Sequence, residues 1–120
     1  MGYIKYICMQ KIRTVEFYKR YVLDFITQQK PKVIAKIHWT IRLIESVPRV
    51  PEIYLKHLEG IDGLYEIRVQ YGSDIFRIFC VFDSGKVIIL LSAFQKKTQI
   101  TPVKEIERAL KIKKEYEQEK

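Results

Sequence analysis

The spacing of apolar positions runs from a period of two to a helical period, back to two, and then to a helical period again. Thr14-Val15-Glu16-Phe17 alternates polar and apolar residues as a short, half-buried strand does. Tyr21, Val22, Phe25 and Ile26 mark one helix face and predict a first helix ending near Gln29. Pro31 suits the first turn of a second helix, where its missing N–H is no loss, and Ile34, Ile37, Ile41 and Ile44 continue that helix as a single stripe. A helical hairpin is expected. Pro48 and Pro51 end it and open a connecting stretch that runs to about Gly63.

Beyond Gly63 the pattern is that of strands. Leu64 to Val69 is one, Gly72-Ser73-Asp74 supplies turn residues, and Ile75 to Phe82 is the next. Asp83-Ser84-Gly85 forms a second turn before Val87 to Phe94, whose almost unbroken apolar character predicts a strand covered on both faces. Three consecutive strands joined this tightly predict an antiparallel meander. Thr101-Pro102 then reads as an N-cap and first-turn pair for a closing helix, with Val103, Ile106, Ala109, Leu110, Ile112 and Tyr116 in helical spacing. The order predicts an α+β fold: an antiparallel sheet, extended at one edge by the first strand, with two N-terminal helices and a C-terminal helix. No internal repeat is present, and residues 1–120 are expected to form one domain. The tail from Lys111 to Lys120 mixes both charge signs and is expected to be a solvated helix end rather than a nucleic-acid-binding arm.

Charge changes this picture more than composition does. With 48% apolar and 30% charged residues the chain resembles soluble globular proteins. Its longest aliphatic run, Val87 to Leu91, is far too short to span a bilayer, and the start has no signal-peptide pattern, so a cytoplasmic location without membrane contact is expected. The net charge of +8 sets up a positive field over a small surface, which favours nucleic acid or an acidic protein as partner, or serves solubility alone. Cys8 and Cys80 form no C-x-x-C pair and are read as reduced, packed thiols.

Candidate chemistry is narrowed by what is missing. There is no glycine-rich phosphate loop, no H-E-x-x-H, no G-x-S-x-G and no Cys/His cluster of metal-site spacing, so no cofactor and no metal are expected. His38 falls inside the second helix and is read as a structural imidazole, whereas His57, beside Lys56 in the connecting stretch, is either a site residue or a plain loop residue. The cations on the meander are more informative. A turn centred near Ser73 would set Arg68 and Arg77 opposite each other, where two cations repel unless an anion bridges them; that suggests a phosphate site, the alternative being that each pairs with a carboxylate such as Glu66 or Asp74. Lys96 and Lys97 follow the most apolar strand, with no acidic residue between Asp83 and Glu105. A lysine among other cations has its pKa lowered and becomes a usable proton carrier. Such groups can assist attack of a ribose 2′-OH on phosphorus, stabilise the charge that builds there and protonate the leaving 5′-oxygen.

Leu64-Tyr65-Glu66-Ile67-Arg68-Val69, Phe76-Arg77-Ile78-Phe79 and Phe94-Gln95-Lys96-Lys97-Thr98-Gln99 followed by Thr101-Pro102 resemble, as an ordered series covering nearly the whole chain, the phage-derived, host-killing branch of HigB toxins in the RelE/ParE superfamily. The resemblance implies a RelE-like microbial RNase fold. It also implies the toxin of a type II toxin–antitoxin system: a ribosome-dependent mRNA endoribonuclease that cuts in the ribosomal A site and is neutralised by a HigA-type helix-turn-helix antitoxin. Carried over by residue, it implies that Arg68 and Arg77 grip the scissile phosphate and that Lys96 and Lys97 contact rRNA or phosphate, one of them, Lys97 before Lys96, supplying a proton. Lys56 and His57 fall where relatives carry further RNA-binding residues. The stretch Thr98 to Val103 lacks the histidine or tyrosine that some relatives have there. The same superfamily holds ParE-like toxins that inhibit gyrase by binding protein and cut no RNA, which is the alternative function.

Overall fold

In the computed structural model of the chain, residues 11–61 and 63–120 are described. Eight elements follow in order: β1 (Thr14–Phe17), α1 (Tyr21–Thr27), α2 (Pro31–Ser46), β2 (Leu55–His57), β3 (Tyr65–Tyr71), β4 (Asp74–Asp83), β5 (Val87–Lys96) and α3 (Val103–Glu119). The sheet order is β1-β5-β4-β3-β2. The predicted α+β arrangement and the β3-β4-β5 meander are present.

Two features of the sheet differ from the expectation. β1 pairs parallel to β5, from Thr14 opposite Val87 to Phe17 opposite Leu90, so the sheet is mixed rather than wholly antiparallel. A four-residue alternation identifies a strand but carries no information on its partner's direction. The stretch expected as a connection also contains β2, antiparallel to β3 from Leu55 opposite Ile67 to His57 opposite Tyr65. Three residues are too few for an alternation to show, and the strand is defined by its neighbour's edge.

The sheet is buried on both faces. On one, Val22 and Ile26 of α1 and Val33, Ile37 and Ile44 of α2 meet Ile67, Val69, Phe76, Ile78, Ile88 and Leu90. On the other, Ala109 and Ile112 of α3 meet Phe79, Val81, Ile89, Leu91 and Phe94. Each fully buried Leu, Ile or Phe stabilises the fold by roughly 1.5–3 kcal/mol relative to exposure. Cys80 belongs to the first core, and burial pushes its thiol pKa up, which keeps it unreactive. Cys8 lies outside the described residues.

α3 begins one residue later than its sequence signal suggests: Pro102, at φ −63° and ψ 134°, is the N-cap, and its carbonyl accepts from the N–H groups of Glu105 and Ile106. Its C-terminal end is docked rather than simply solvated. Ile112 is buried, Glu115 accepts from Lys19 and from the Tyr21 hydroxyl, Tyr116 donates to Asp83, and Lys120 pairs with Asp83. Among the described residues no helix is long and apolar enough to cross a membrane.

A bulge between Phe79 and Cys80 decides what α3 and the rest of its face receive. Phe79 pairs with Ser92 but Cys80 with Leu90, so β5 carries one extra residue, Leu91. Side chains beyond a one-residue shift change faces. Ile89 and Leu91 therefore face α3 together with Phe94, and it is Lys96 rather than Lys97 that continues this face past the end of the helix.

Candidate functional site

α3 covers only part of its face of the sheet, and polar side chains occupy the remainder. The two-residue turn Gly72-Ser73, with Gly72 at φ +62°, closes β3 onto β4 so that Tyr71 pairs with Asp74. Counting back along the ladder sets Arg68 directly opposite Arg77 and, on the next strand, Arg77 opposite Phe94. Two positions away on the same face, Lys56, Glu66, Phe79 and Ser92 form a second row across four strands. Two positions the other way lie Gln70, Ile75 and Lys96. Arg68, Arg77, Lys96 and Lys56 thus share one face with the carboxylate of Glu66.

Burial makes this arrangement costly unless it is used. Glu66, Arg77 and Ser92 are only 5%, 6% and 1% exposed. Glu66 Oε2 lies 3.5 Å from Arg68 Nε and 3.6 Å from Arg77 Nε, ion-paired with both yet hydrogen-bonded to neither. Among the described residues Glu66 Oε1, both arginine Nε atoms and Ser92 Oγ have no hydrogen-bond partner. An unsatisfied buried polar atom costs about 1–3 kcal/mol, more when charged, and four in one cluster mark a surface built for a polar ligand or water. One carboxylate cannot neutralise two guanidinium groups, so the cluster keeps a net positive charge suited to a phosphate.

The arginines stand opposite each other, as the count from the turn predicts, and Glu66 pairs with each of them, as the carboxylate alternative expects. Asp74 instead accepts a long contact of 3.5 Å from Gln95. Burial, then the charge of Arg68, lowers the pKa of Arg77, with Glu66 opposing. Lys96 is shifted down by the same kinds of cause: burial first, then the charge of Arg77, with Arg68 adding to it and Glu66 acting against it. It is half-buried, whereas Lys97 is exposed one residue past the end of β5. His57 is not brought to the cluster; it pairs with Tyr65 on the opposite face, and the two rings meet edge to face at 5.0 Å. His38 lies within α2, away from this face.

Sequence reading placed Glu66 only as a possible partner and overlooked Ser92. Glu66 alternates in phase with Arg68 two residues on, which is a signal the sequence carries; Ser92 sits inside an apolar strand, and its place beside Glu66 depends on the bulge. Among the described residues no group of three or more His, Cys, Asp or Glu comes together as a metal site.

A chain of the archaeal RelE–RelB complex from Pyrococcus horikoshii OT3 is similar in structure, with a TM-score of 0.51 at 20% sequence identity over 68% of this chain and 92% of that one. At that identity the likeness establishes the RelE-like fold. No curated protein sequence matches. Residues 24–114, from the middle of α1 to the fourth turn of α3, match the family described as Phage derived protein Gp49-like (DUF891). That span holds every residue of the polar cluster and most of both cores, and this chain belongs to the phage-derived Gp49-like family.

Proposed function

We propose that this protein is the toxin of a type II toxin–antitoxin pair, of the HigB type, acting in the cytoplasm as a ribosome-dependent mRNA endoribonuclease. The observation that carries the reading is the facing pair of the half-buried Arg68 and the buried Arg77, whose Nε atoms make no hydrogen bond, beside a lysine of lowered pKa. In this reading the two guanidinium groups hold the non-bridging oxygens of the scissile phosphate, with Glu66 fixing their positions. The ribose 2′-hydroxyl gives up its proton to water as its oxygen attacks phosphorus, a 2′,3′-cyclic phosphate forms, and the P–O5′ bond breaks. Lys96 gives its proton to the departing 5′-oxygen, because its charged form is already disfavoured where it stands. Lys97 and Lys56 contact flanking phosphates, and the exposed His57 lies outside the reacting centre. The partner that silences the protein is an acidic antitoxin of the HigA helix-turn-helix type, which would cover the basic face; the RelE-like neighbour was solved as a complex with RelB.

Primer extension on an mRNA translated in a cell-free system tests this directly. The unaltered protein should produce new cleavage sites, and Arg77→Ala should lose them. Lys96→Ala should reduce cleavage by about 10²–10⁴-fold, the usual contribution of a positioned proton donor. Lys96→Arg, which holds its proton too firmly to transfer it, should restore RNA binding without restoring the rate. Absence of cleavage by the unaltered protein, with inhibition in a gyrase supercoiling assay, would replace this function with a protein-inhibitor one.

A further inference from the structure

Beside the arginine pair, where β3 runs past the end of β2, a cleft of about 300 Å³ opens between the sheet edge and α2. Its walls have three distinct chemistries. Arg68 and Arg77 form the cationic side, and Arg77 is more than nine-tenths buried, its Nε ion-paired with Glu66 but without a hydrogen bond among the described residues. Tyr54 and Ile53 form an apolar side; Ile53 is 65% exposed, although its chemistry favours cover. Trp39, 46% exposed, meets Tyr54 edge to face at 5.7 Å and holds Lys36 Nζ, from the same cleft wall, 4.3 Å from its ring centre. The third side is main chain. Arg68 N–H donates to the Tyr54 carbonyl at 2.8 Å, so the next outward-facing residue on that edge is Gln70. Gln70 also lines the cleft, and its outward N–H and C=O find no main-chain partner among the described residues.

A phosphate alone would need only the arginines. An aromatic wall with an adjacent donor–acceptor pair is the complement of a nucleobase, which has a flat apolar face and a polar edge. The volume lies at the lower end of the roughly 300–1,000 Å³ range of ligand pockets, enough for one nucleoside and too small for a duplex. Resting on the ribonuclease reading above, we infer that this cleft is a nucleobase subsite: it takes one unpaired base of the RNA strand next to the phosphate held by Arg68 and Arg77, with the base against Tyr54 and its edge on the Gln70 main chain. The subsite makes cleavage depend on the identity of the base beside the cut.

Trp39 is the chain's one tryptophan, so its fluorescence reports on this wall without any label. The full chain is titrated with adenosine, guanosine, cytidine and uridine 5′-monophosphates, with ribose 5-phosphate and with inorganic phosphate. Saturable emission changes are expected with the nucleotides, at least one binding about tenfold more tightly than ribose 5-phosphate, as one base stacked on an aromatic side chain provides. Tyr54→Ala should bring the nucleotides down to the affinity of ribose 5-phosphate, and Tyr54→Phe should keep them. Equal binding of nucleotides and ribose 5-phosphate, or no saturable change with any nucleotide, overturns the subsite. If Tyr54→Ala does not fold, the ligand series on the unaltered chain decides alone. The assay requires neither ribosome nor turnover, so its failure is separable from that of the ribonuclease reading: cleavage on the ribosome without base-dependent binding removes only the subsite, and base-dependent binding without cleavage removes only the ribonuclease.

Discussion

Glu66 is the residue on which the polar cluster turns. Among the described residues its carboxylate is the one anion within 4 Å of either arginine, with Arg68 meeting it along β3 and Arg77 from β4. Removing one partner of a buried ion pair typically costs 3–5 kcal/mol, because the other charge remains desolvated. Glu66→Gln is therefore expected to lower stability by about 3 kcal/mol in thermal unfolding. Sulfate or phosphate should then raise the melting temperature of Glu66→Gln more than that of the unaltered chain, since an added anion takes the place of the lost charge. An unchanged melting temperature in Glu66→Gln would show that the arginines do not need this carboxylate. Arg68 and Arg77 could be set opposite each other from sequence, because a two-residue turn fixes register by counting. Lys96 could not be ranked above Lys97 in that way, because the extra residue at Leu91 reverses the alternation between the apolar strand and its basic end.

At the scale of elements, α3 divides its face of the sheet into a covered core and an open polar part, and its far end is held by polar contacts. The hydrogen bond from Tyr116, with the nearby Lys120, holds the Asp83 carboxyl below its usual range, and Asp83 in turn pushes the Tyr116 hydroxyl up to about 12. Lys19 and Tyr21 lower Glu115 likewise. A carboxylate whose folded pKa is depressed adds stability above its unfolded value, and that stability is lost as pH falls through the folded one. The last turns of α3 are thus expected to be tethered at neutral pH and to loosen below about pH 4, the ordinary carboxylate range. Amide hydrogen exchange over residues 113–119 measures this, and an Asp83→Asn, Glu115→Gln chain should exchange fast at every pH. A helix end equally protected at pH 3 and pH 7 would contradict it. The alternating charges of Lys111 to Lys120 suggested solvation, since nothing in the tail announces its partners Lys19 and Asp83, which are distant in sequence.

For the molecule as a whole, a charge of +8 is spread over more than one surface. Besides the sheet face, Lys104, Arg108, Lys111 and Lys114 are exposed along α3, three or four residues apart on one side of the helix. Under the proposed ribosome-dependent function these would meet backbone phosphate, and each such contact adds roughly 0.7–0.9 to the slope of log affinity against log salt. The double reversal Lys104→Glu, Lys111→Glu should therefore weaken ribosome binding and flatten its salt dependence, measured by co-sedimentation at several salt concentrations. Mononucleotide binding at the Tyr54 cleft should be unaffected, because the two surfaces do not share residues. An unchanged salt slope would mean that α3 faces away from the ribosome.

Local rules in the sequence determined the helices, the meander and the facing arginines. Periods of two and 3.6 identify elements, prolines and glycines end them, and a short turn sets which residues pair across it. Tertiary structure alone decided the rest. The parallel direction of β1, the existence of β2, the phase of Lys96, the buried place of Ser92 and the docked tail of α3 all depend on partners far along the chain, and no local period encodes them. The cleft beside Tyr54 belongs to the same group, for its lining comes from α2, β3, β4 and the segment before β2, which meet only when the sheet has formed.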